Sequence, residues 1–191
     1  MVRESLVRLG TRQSKLALWQ AHRIKELLSQ HGVAVDIVPI VTRGDTDQTT
    51  AIESLGGKGI FLKELEQALV DNAIDIAVHS FKDITSTPHP DLSVVGFVAE
   101  ESATDAIILF NHTANDLTQC SLRLATGSAR RRALCNQLYP NVDCVPIRGN
   151  IETRIERARV RGDDGVILST AGLQRLGLTD MVTVEPDPTV F

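Results

Sequence analysis

A short polar segment, from His79 to Asp83, could carry the chemistry of this chain because it supplies an imidazole, a hydroxyl, an ammonium group and a carboxylate. The alternating apolar residues Ile74, Ile76 and Val78 predict a buried strand that ends where this segment begins. Ligands of open α/β sheets bind beyond the carboxyl ends of the strands, so the pattern favours a ligand site. An ordinary polar loop after a core strand is the alternative that this segment alone leaves open.

Basic residues recur at comparable positions of the other predicted elements. Helix N-termini at such positions add N–H donors and partial positive charge, and guanidinium groups bind carboxylates or phosphates with two hydrogen bonds. The pattern therefore predicts an anionic ligand. The alternative is surface charge paired with neighbouring acids, and nucleic acid is not favoured because no aromatic residues are interleaved with the arginines. The predicted cations are Arg12, Arg43, Lys58 and Lys82 in the first half, and Arg130, Arg131, Arg148, Arg154 and Arg175 in the second.

The bulk composition limits the class of protein. The chain has 191 residues, 42% hydrophobic and 23% charged, which is typical of a globular protein with one large or two small domains. Its formal net charge of −4 does not favour a protein that coats nucleic acid or an anionic membrane. A local group of arginines therefore has to be explained by a local anionic ligand or by neighbouring acids.

The three cysteines, Cys120, Cys135 and Cys144, have no CxxC spacing. They predict neither a disulfide framework nor a zinc site, and we interpret them as inert core residues. Residues 1–5 lack the apolar core of a signal peptide, and no apolar run approaches the length of a membrane span. We expect a cytoplasmic protein with neither a membrane nor a metal partner.

The elements that must position these side chains follow a βαβαβ order in the first half. Ser14 is a plausible helix N-cap, and Ala17, Ala21, Ile24 and Leu28 mark the buried face of the helix that it begins. The predicted elements are strand 5–9, a helix from Ser14 to Gly32, strand 35–41, loop 46–54, helix 60–70, strand 74–78 and strand 92–98.

The second half repeats this order without a repeat in sequence. We expect an α/β fold of two βαβ-type lobes, residues 1–99 and 100–191, mostly parallel, which resemble type II periplasmic binding proteins with a cationic cleft between the lobes. The predicted elements are strand 106–110, a turn region at 111–120, strand 122–125, a helix to Leu138, strand 142–147, a helix to Val160, strand 166–168 and a short helix carrying Arg175.

Several motifs, in this order along the chain, resemble porphobilinogen deaminase (hydroxymethylbilane synthase). The resemblance is collinear from about residue 6 to the end and specific in its order. The motifs are RLGTRQSKLA at 8–17, GGKGIF at 56–61, HSFKD at 79–83, RGNIETR at 148–154 and AGLQRLGL at 171–178.

The resemblance implies a transferase of tetrapyrrole, and hence heme and porphyrin, biosynthesis. Such an enzyme condenses four porphobilinogen molecules head to tail and releases ammonia at each step. It carries a dipyrromethane cofactor bound through a cysteine. Each pyrrole brings an acetate and a propionate, which would account for the arginines.

The resemblance also implies roles for individual residues. Asp83 matches the catalytic aspartate, which holds pyrrole N–H groups, assists proton transfer as ammonia leaves and stabilises the cation that follows. The cofactor would be bound by Lys82, Asp83, Ser128, Arg130, Arg131, Arg148 and Gly149. The substrate would be bound by Arg12, Ser14, Phe61, Arg148, Arg154 and Arg175, with no metal.

The sequence departs from the family pattern in several places. The family has a third domain that carries the attachment cysteine, which matches none of the three cysteines here, and this sequence lacks that domain. A truncated form of a longer enzyme is favoured over a chain that lost its C-terminal part and over a divergent two-domain relative. Ser54 replaces a usual lysine, and Glu100 and Thr104 replace usual basic residues.

Two functions remain open at the level of sequence. The first is a monomeric porphobilinogen deaminase that acts on a small-molecule substrate. The second is a non-catalytic, two-lobed binding module for a small polycarboxylate. The carboxylate of Asp83 beside Lys82 favours the enzyme, because a binding module needs no acid at that position.

Overall fold

A computed structural model describes residues 6–46, 59–85, 87, 89–98 and 102–187. The chain divides into two compact units, Met1–Val98 and Ala99–Phe191. The GGKG run up to Lys58, Ser54, Glu100 and the expected loop from residue 47 onward lie outside the described residues. None of the described helices is long and apolar enough to cross a membrane.

The first unit is a three-stranded parallel sheet with helices in its connections. The strand order is β2-β1-β3, and β1 pairs in parallel with both neighbours. The elements are β1 (Val7–Arg12), α1 (Lys15–Gln30), β2 (Val35–Ile40), α2 (Arg43–Thr46), α3 (Lys63–Val70), β3 (Ile76–Ala77) and a 3-10 turn (Phe81–Asp83).

Helix α1 forms as its sequence predicts. The Ser14 hydroxyl accepts a hydrogen bond from the Ala17 backbone N–H at 3.2 Å, which satisfies one of the unpaired donors of the first turn. The apolar stripe of the helix packs on the sheet, where Leu9, Ala21 and Val35 form a buried core cluster. Gly10 allows close packing, because a Cβ at this position would lie 2.3 Å from the Cδ1 atom of Ile74.

Three expectations for the first unit need correction. The strand expected at 74–78 is reduced to the two residues of β3, and α3 begins at Lys63 after a turn rather than at residue 60. The strand expected at 92–98 is wrong. This apolar segment has no ladder partner among the described residues, and Val95 and Phe97 are 82% and 73% exposed.

The second unit is a four-stranded mixed sheet with order β4-β7-β5-β6. Strands β5, β6 and β7 are parallel, and β4 runs antiparallel to β7. The elements are β4 (Asp105–Leu109), α4 (Asp116–Gln119), β5 (Leu122–Ala125), α5 (Ala129–Leu138), β6 (Val142–Val145), α6 (Ile151–Arg161), β7 (Gly165–Ser169), α7 (Thr170–Arg175) and a 3-10 turn (Thr179–Met181).

Burial in the second unit follows the central position of β7. Every residue of β4, and all of β7 except Ser169, is buried. Core clusters cover both faces of the sheet, one including Ile108 and Val166 and the other including Leu124 and Ile167. The region 111–120, expected to be turns alone, contains the one-turn helix α4, whose buried Leu117 anchors it to the second cluster.

Candidate functional site

The parallel sheet of the first unit brings its predicted site residues to one edge. Strand β1 ends at Arg12, β2 is followed by Thr42, and β3 is followed by His79. In parallel strands these ends lie at the same edge of the sheet. The edge therefore collects side chains from three separate stretches of sequence.

Arg12 is part of a fixed, largely buried ion pair. Its Nε donates to Asp45 Oδ2 at 3.1 Å, its Nη2 pairs with Asp45 Oδ1, and the Thr42 hydroxyl donates to Asp45 Oδ2 at 2.8 Å. The two charged side chains are only 17% and 16% exposed. Burial by itself raises the pKa of Asp45, but the hydrogen bonds from Arg12 and Thr42 and the charge of Arg12 lower it overall.

An aromatic ring also contacts the Arg12 guanidinium. The Arg12 Cζ lies 3.8 Å from the centroid of the Phe61 ring, within the range of a cation–π contact. Gly44 makes room for this ring, since a Cβ there would lie 2.1 Å from Phe61 Cε1. Arg12 and Phe61, both predicted to contact substrate, thus contact each other.

The polar segment after β3 contains one neutral and two charged groups. Burial, and to a smaller extent the charge of Arg12, lower the pKa of His79 to about 4, so its ring is neutral at pH 7. Ser80 is hydrogen-bonded through its hydroxyl to the Gln20 side chain at 3.1 Å. In the 3-10 turn that follows, Lys82 is exposed and Asp83 is half-buried.

A buried carboxylate organises the corresponding edge of the second unit. Asp105 begins β4, and because β4 is antiparallel to β7, it lies opposite Ser169 at the carboxyl end of β7. Arg131 Nε donates to Asp105 Oδ1 at 2.8 Å, and Arg130 Nη2 pairs with Asp105 Oδ2. The Asp105 side chain is 3% exposed, compared with 11% for Arg131 and 54% for Arg130.

The loop before α5 brings these two arginines to the sheet edge. The Ser128 hydroxyl caps the helix by accepting from the Arg131 N–H at 3.4 Å, and Thr126 accepts from the Ser128 N–H at 3.2 Å. Gly127 allows the loop to lie against the β6 side, since a Cβ there would be 2.7 Å from the Ile147 carbonyl oxygen. Backbone and cap together thus fix the first turn of α5.

Arg148 differs from the other arginines at this edge. Its Nη1 is buried and has no hydrogen-bond partner among the described residues. Beside it, Arg154 Nε donates to the Gly149 carbonyl at 2.6 Å, and Gly149 adopts a φ of +113°, which an L-residue rarely adopts. A buried cationic donor without an acceptor is costly, so this atom favours an anionic acceptor from outside the chain.

The remaining predicted residues lie in less definite settings. Ser14 caps α1. The backbone N–H of the exposed Arg43 donates to Glu64 Oε1 at 3.0 Å, and the half-buried Arg175 is the last residue of α7. Sequence reasoning missed Asp45 and Asp105, which hold Arg12 and the α5 arginines. The sequence did contain a signal for Asp105, which directly precedes the apolar run AIIL. A carboxylate next to a buried strand is itself buried and needs a cationic partner.

We expect Asp105→Asn to lower the free energy of unfolding by about 3 kcal/mol, because it leaves the buried Arg131 guanidinium without a carboxylate. Asp163→Asn is the matched comparison. Asp163 is fully buried and also bridges two arginines, but Arg123 and Arg161 are 44% and 42% exposed and can regain water. Urea denaturation should show a smaller loss for Asp163→Asn, and an equal or larger loss would contradict this assignment.

We expect His79 to make the protein less stable in acid. The unfolded chain takes up this proton near pH 6.5 and the folded unit only near pH 4, so the unfolded state binds more protons between these values. Stability therefore falls as the pH falls from 6.5 to 4. In His79→Gln, the loss of unfolding free energy between pH 7 and pH 4.5 should shrink by about 2 kcal/mol.

The control for the pH experiment is His22→Gln, which replaces an exposed histidine on α1. Its pH dependence should follow that of the parent protein. Identical curves for the parent and His79→Gln would show that His79 does not lose its proton on folding.

Comparison with known proteins assigns this chain to a family. The family described as porphobilinogen deaminase, dipyromethane cofactor binding domain, matches residues 7–190. A porphobilinogen deaminase of Desulfosudis oleivorans is 38% identical over 186 residues, which cover 95% of this chain and 59% of that protein. The chain thus spans less than two thirds of the length of this relative.

One solved structure supports the fold class. A double mutant of the BvgS VFT2 domain of Bordetella pertussis is similar over 95% of this chain and 76% of its own, with a TM-score of 0.50 and 14% identity. A mutant of ArgBP from T. maritima covers 94% and 75%, with a TM-score of 0.43 and 16% identity. The predicted α/β fold of two βαβ-type lobes, which resemble type II periplasmic binding proteins, is confirmed. Since the family match extends over nearly the whole sequence, the chain belongs to the porphobilinogen deaminase family, in its dipyrromethane cofactor-binding domain.

Proposed function

We propose that the chain is the cofactor-binding part of a porphobilinogen deaminase, a transferase that joins four porphobilinogen molecules head to tail with release of ammonia. The family match over residues 7–190 supports this activity. The observation that carries the proposal in the structure is the buried Nη1 of Arg148, which has no acceptor among the described residues. Pyrroles that carry acetate and propionate groups supply such acceptors.

The residues present fit a dipyrromethane group. The buried donor of Arg148 needs an anion, and Asp105 orients the two arginines at the start of α5. When bound, the cofactor supplies the pyrrole end to which the next unit is joined. The side chains and backbone that would hold it are those of Lys82, Asp83, Ser128, Arg130, Arg131, Arg148 and Gly149.

Asp105 and Asp45 prepare the arginines for this task. A guanidinium that is already oriented by a buried carboxylate loses little side-chain entropy when a ligand carboxylate binds. The substrate carboxylates would be bound by Arg12, Arg148, Arg154 and Arg175, with Ser14 and Phe61 completing the lining. Binding to Arg12 leaves its pair with Asp45 in place, because the Asp45 carboxylate occupies the Nε and Nη2 donors.

Asp83 carries the chemical step in this proposal. Its carboxylate accepts the pyrrole N–H and stabilises the positive charge that develops on the pyrrole as ammonia leaves. His79, four residues earlier, is neutral at pH 7 and therefore does not repel the positive charge that develops on the pyrrole. We also propose that the protein is cytoplasmic and monomeric, as the sequence predicts.

In the complete enzyme of which we propose this chain to be part, we expect Asp83→Asn to lower the rate of ammonia release from porphobilinogen by at least about 100-fold, because the amide cannot carry the charge or the proton. Circular dichroism should show an unchanged fold. Asp91→Asn, at an exposed carboxylate in the same unit, is the control and should retain the parent rate. Turnover in Asp83→Asn at the parent rate would remove Asp83 from the mechanism.

The alternative is a binding module for a small polycarboxylate, and the same assay on the complete protein separates the two functions. A complete protein that binds a preformed bilane but releases no ammonia from porphobilinogen would support the binding module. This chain alone, in which no cysteine matches the attachment cysteine, should bind the bilane without releasing ammonia under either function. The carboxylate of Asp83 favours the enzyme. An acid repels anionic ligands, so a carboxylate at this position is useful only if the reaction requires it.

We expect Arg148→Met to stabilise the fold and weaken the site at the same time. Removing a buried donor without a partner should raise the free energy of unfolding by about 1 kcal/mol. The Kd for a preformed bilane should rise at least about tenfold, because one charge-assisted hydrogen bond is lost. Urea denaturation and fluorescence titration measure the two effects, and Arg159→Met, which removes an exposed guanidinium that lies over the Phe110 ring, should leave the Kd unchanged.

A further inference from the structure

Helix α6 uses three of its arginines to bind the backbone of the connection that precedes it. The three are spaced by three and four residues, so they share one face of the helix, and helical side chains lean toward the N-terminus. Each donates to a carbonyl of residues 146–149, which belong to no helix or strand. The contacts are Arg154 Nε to the Gly149 oxygen at 2.6 Å, Arg157 Nη1 to the Arg148 oxygen at 3.2 Å and Arg161 Nη1 to the Pro146 oxygen at 3.0 Å.

These contacts hold the segment that carries the unsatisfied guanidinium. Arg148 Nη1 is buried and has no hydrogen-bond partner among the residues that the structure describes. A backbone free to move would carry this donor toward water or toward another acceptor, because an unpaired buried donor is costly. The buried Ile147 anchors the segment on one side of Arg148, and the Gly149 carbonyl is held on the other. The bonds from α6 therefore oppose the relaxation that would satisfy Arg148 within the chain.

Arg157 is the member of this set that can be replaced with the least disturbance. Arg154 is itself predicted to bind substrate, so its loss would remove a ligand contact. Arg161 Nε donates at 2.8 Å to Asp163, whose side chain is fully buried, so its loss would weaken the pairing of a buried acid. Arg157 is exposed, and it bonds directly to the carbonyl of the residue whose side chain is unsatisfied.

We propose that Arg157 is a positioning residue of the anion site: by holding the Arg148 carbonyl, it keeps the Arg148 guanidinium where a ligand carboxylate can accept from it. Arg157 acts through Arg148 and does not have to touch the ligand. A guanidinium whose backbone is fixed before binding loses less conformational entropy when the carboxylate arrives. The inference rests on the proposed function, because that function supplies the carboxylated ligand.

The test is a double-mutant cycle on the full chain, in which fluorescence titration measures the Kd for a preformed bilane. We expect Arg157→Met to raise the Kd about fivefold, because the ligand must then order the Arg148 backbone when it binds. In the Arg148→Met background, the same replacement should change the Kd by less than about twofold, since the group that Arg157 positions is absent. Circular dichroism should show that all four proteins are folded.

The cycle separates positioning from charge. Arg159→Met removes one positive charge from the same helix, and because this guanidinium lies over the Phe110 ring, its Kd should remain that of the parent chain. An equal rise in Kd on both backgrounds would overturn the proposal, because Arg157 would then act independently of Arg148. An unchanged Kd in Arg157→Met would overturn it as well.

A second measurement requires no ligand. NMR reports how fast the Arg148 Nε–H exchanges with water, and we expect faster exchange in Arg157→Met than in the parent chain or Arg159→Met. Equal rates in the three proteins would show that Arg157 does not hold Arg148. A parent chain that binds no bilane would contradict the proposed function instead, and the exchange rates would still decide the role of Arg157.

Discussion

The bridge that Asp105 makes to two arginines is the interaction on which the candidate site of the second unit depends. Its carboxylate is almost fully buried at the end of the sheet and is stable there only because guanidinium groups from the first turn of α5 reach it. The first unit uses the same solution with one arginine, where Asp45 holds Arg12. In each unit, the need to neutralise a buried acid fixes where cations lie at the carboxyl edge of the sheet.

This constraint separates two kinds of arginine. Arg12 and Arg131 are largely buried and each is oriented by an acid, so a ligand meets groups that are already ordered. Arg148 instead has a buried nitrogen without an acceptor among the described residues, a cost that binding of an anion would remove. The arginines that an acid orients give the site its geometry, and the unsatisfied nitrogen of Arg148 favours the binding of an anion.

Sequence periodicity predicted α1, because the apolar face of this helix is buried against the sheet. It failed for 92–98, where a run of Val and Phe has strand propensity but no ladder partner among the described residues. It predicted that arginines gather at strand ends, because that follows from element order alone. It could not predict Asp45 and Asp105 as their partners, because pairing depends on which strands are neighbours, and the antiparallel direction of β4 is not encoded in any local pattern.

The segment after β7 returns to the strand with which the second unit begins. Ile107 of β4 and Val184 form an antiparallel bridge, with N–H to carbonyl distances of 2.8 and 3.1 Å in the two directions. The chain therefore enters and leaves this unit side by side on adjacent, oppositely directed backbones. We therefore expect this unit to tolerate circular permutation: a short linker could join residues near 104 and 186, and new termini could be opened at the exposed Pro140–Asn141 turn without breaking any strand of the sheet.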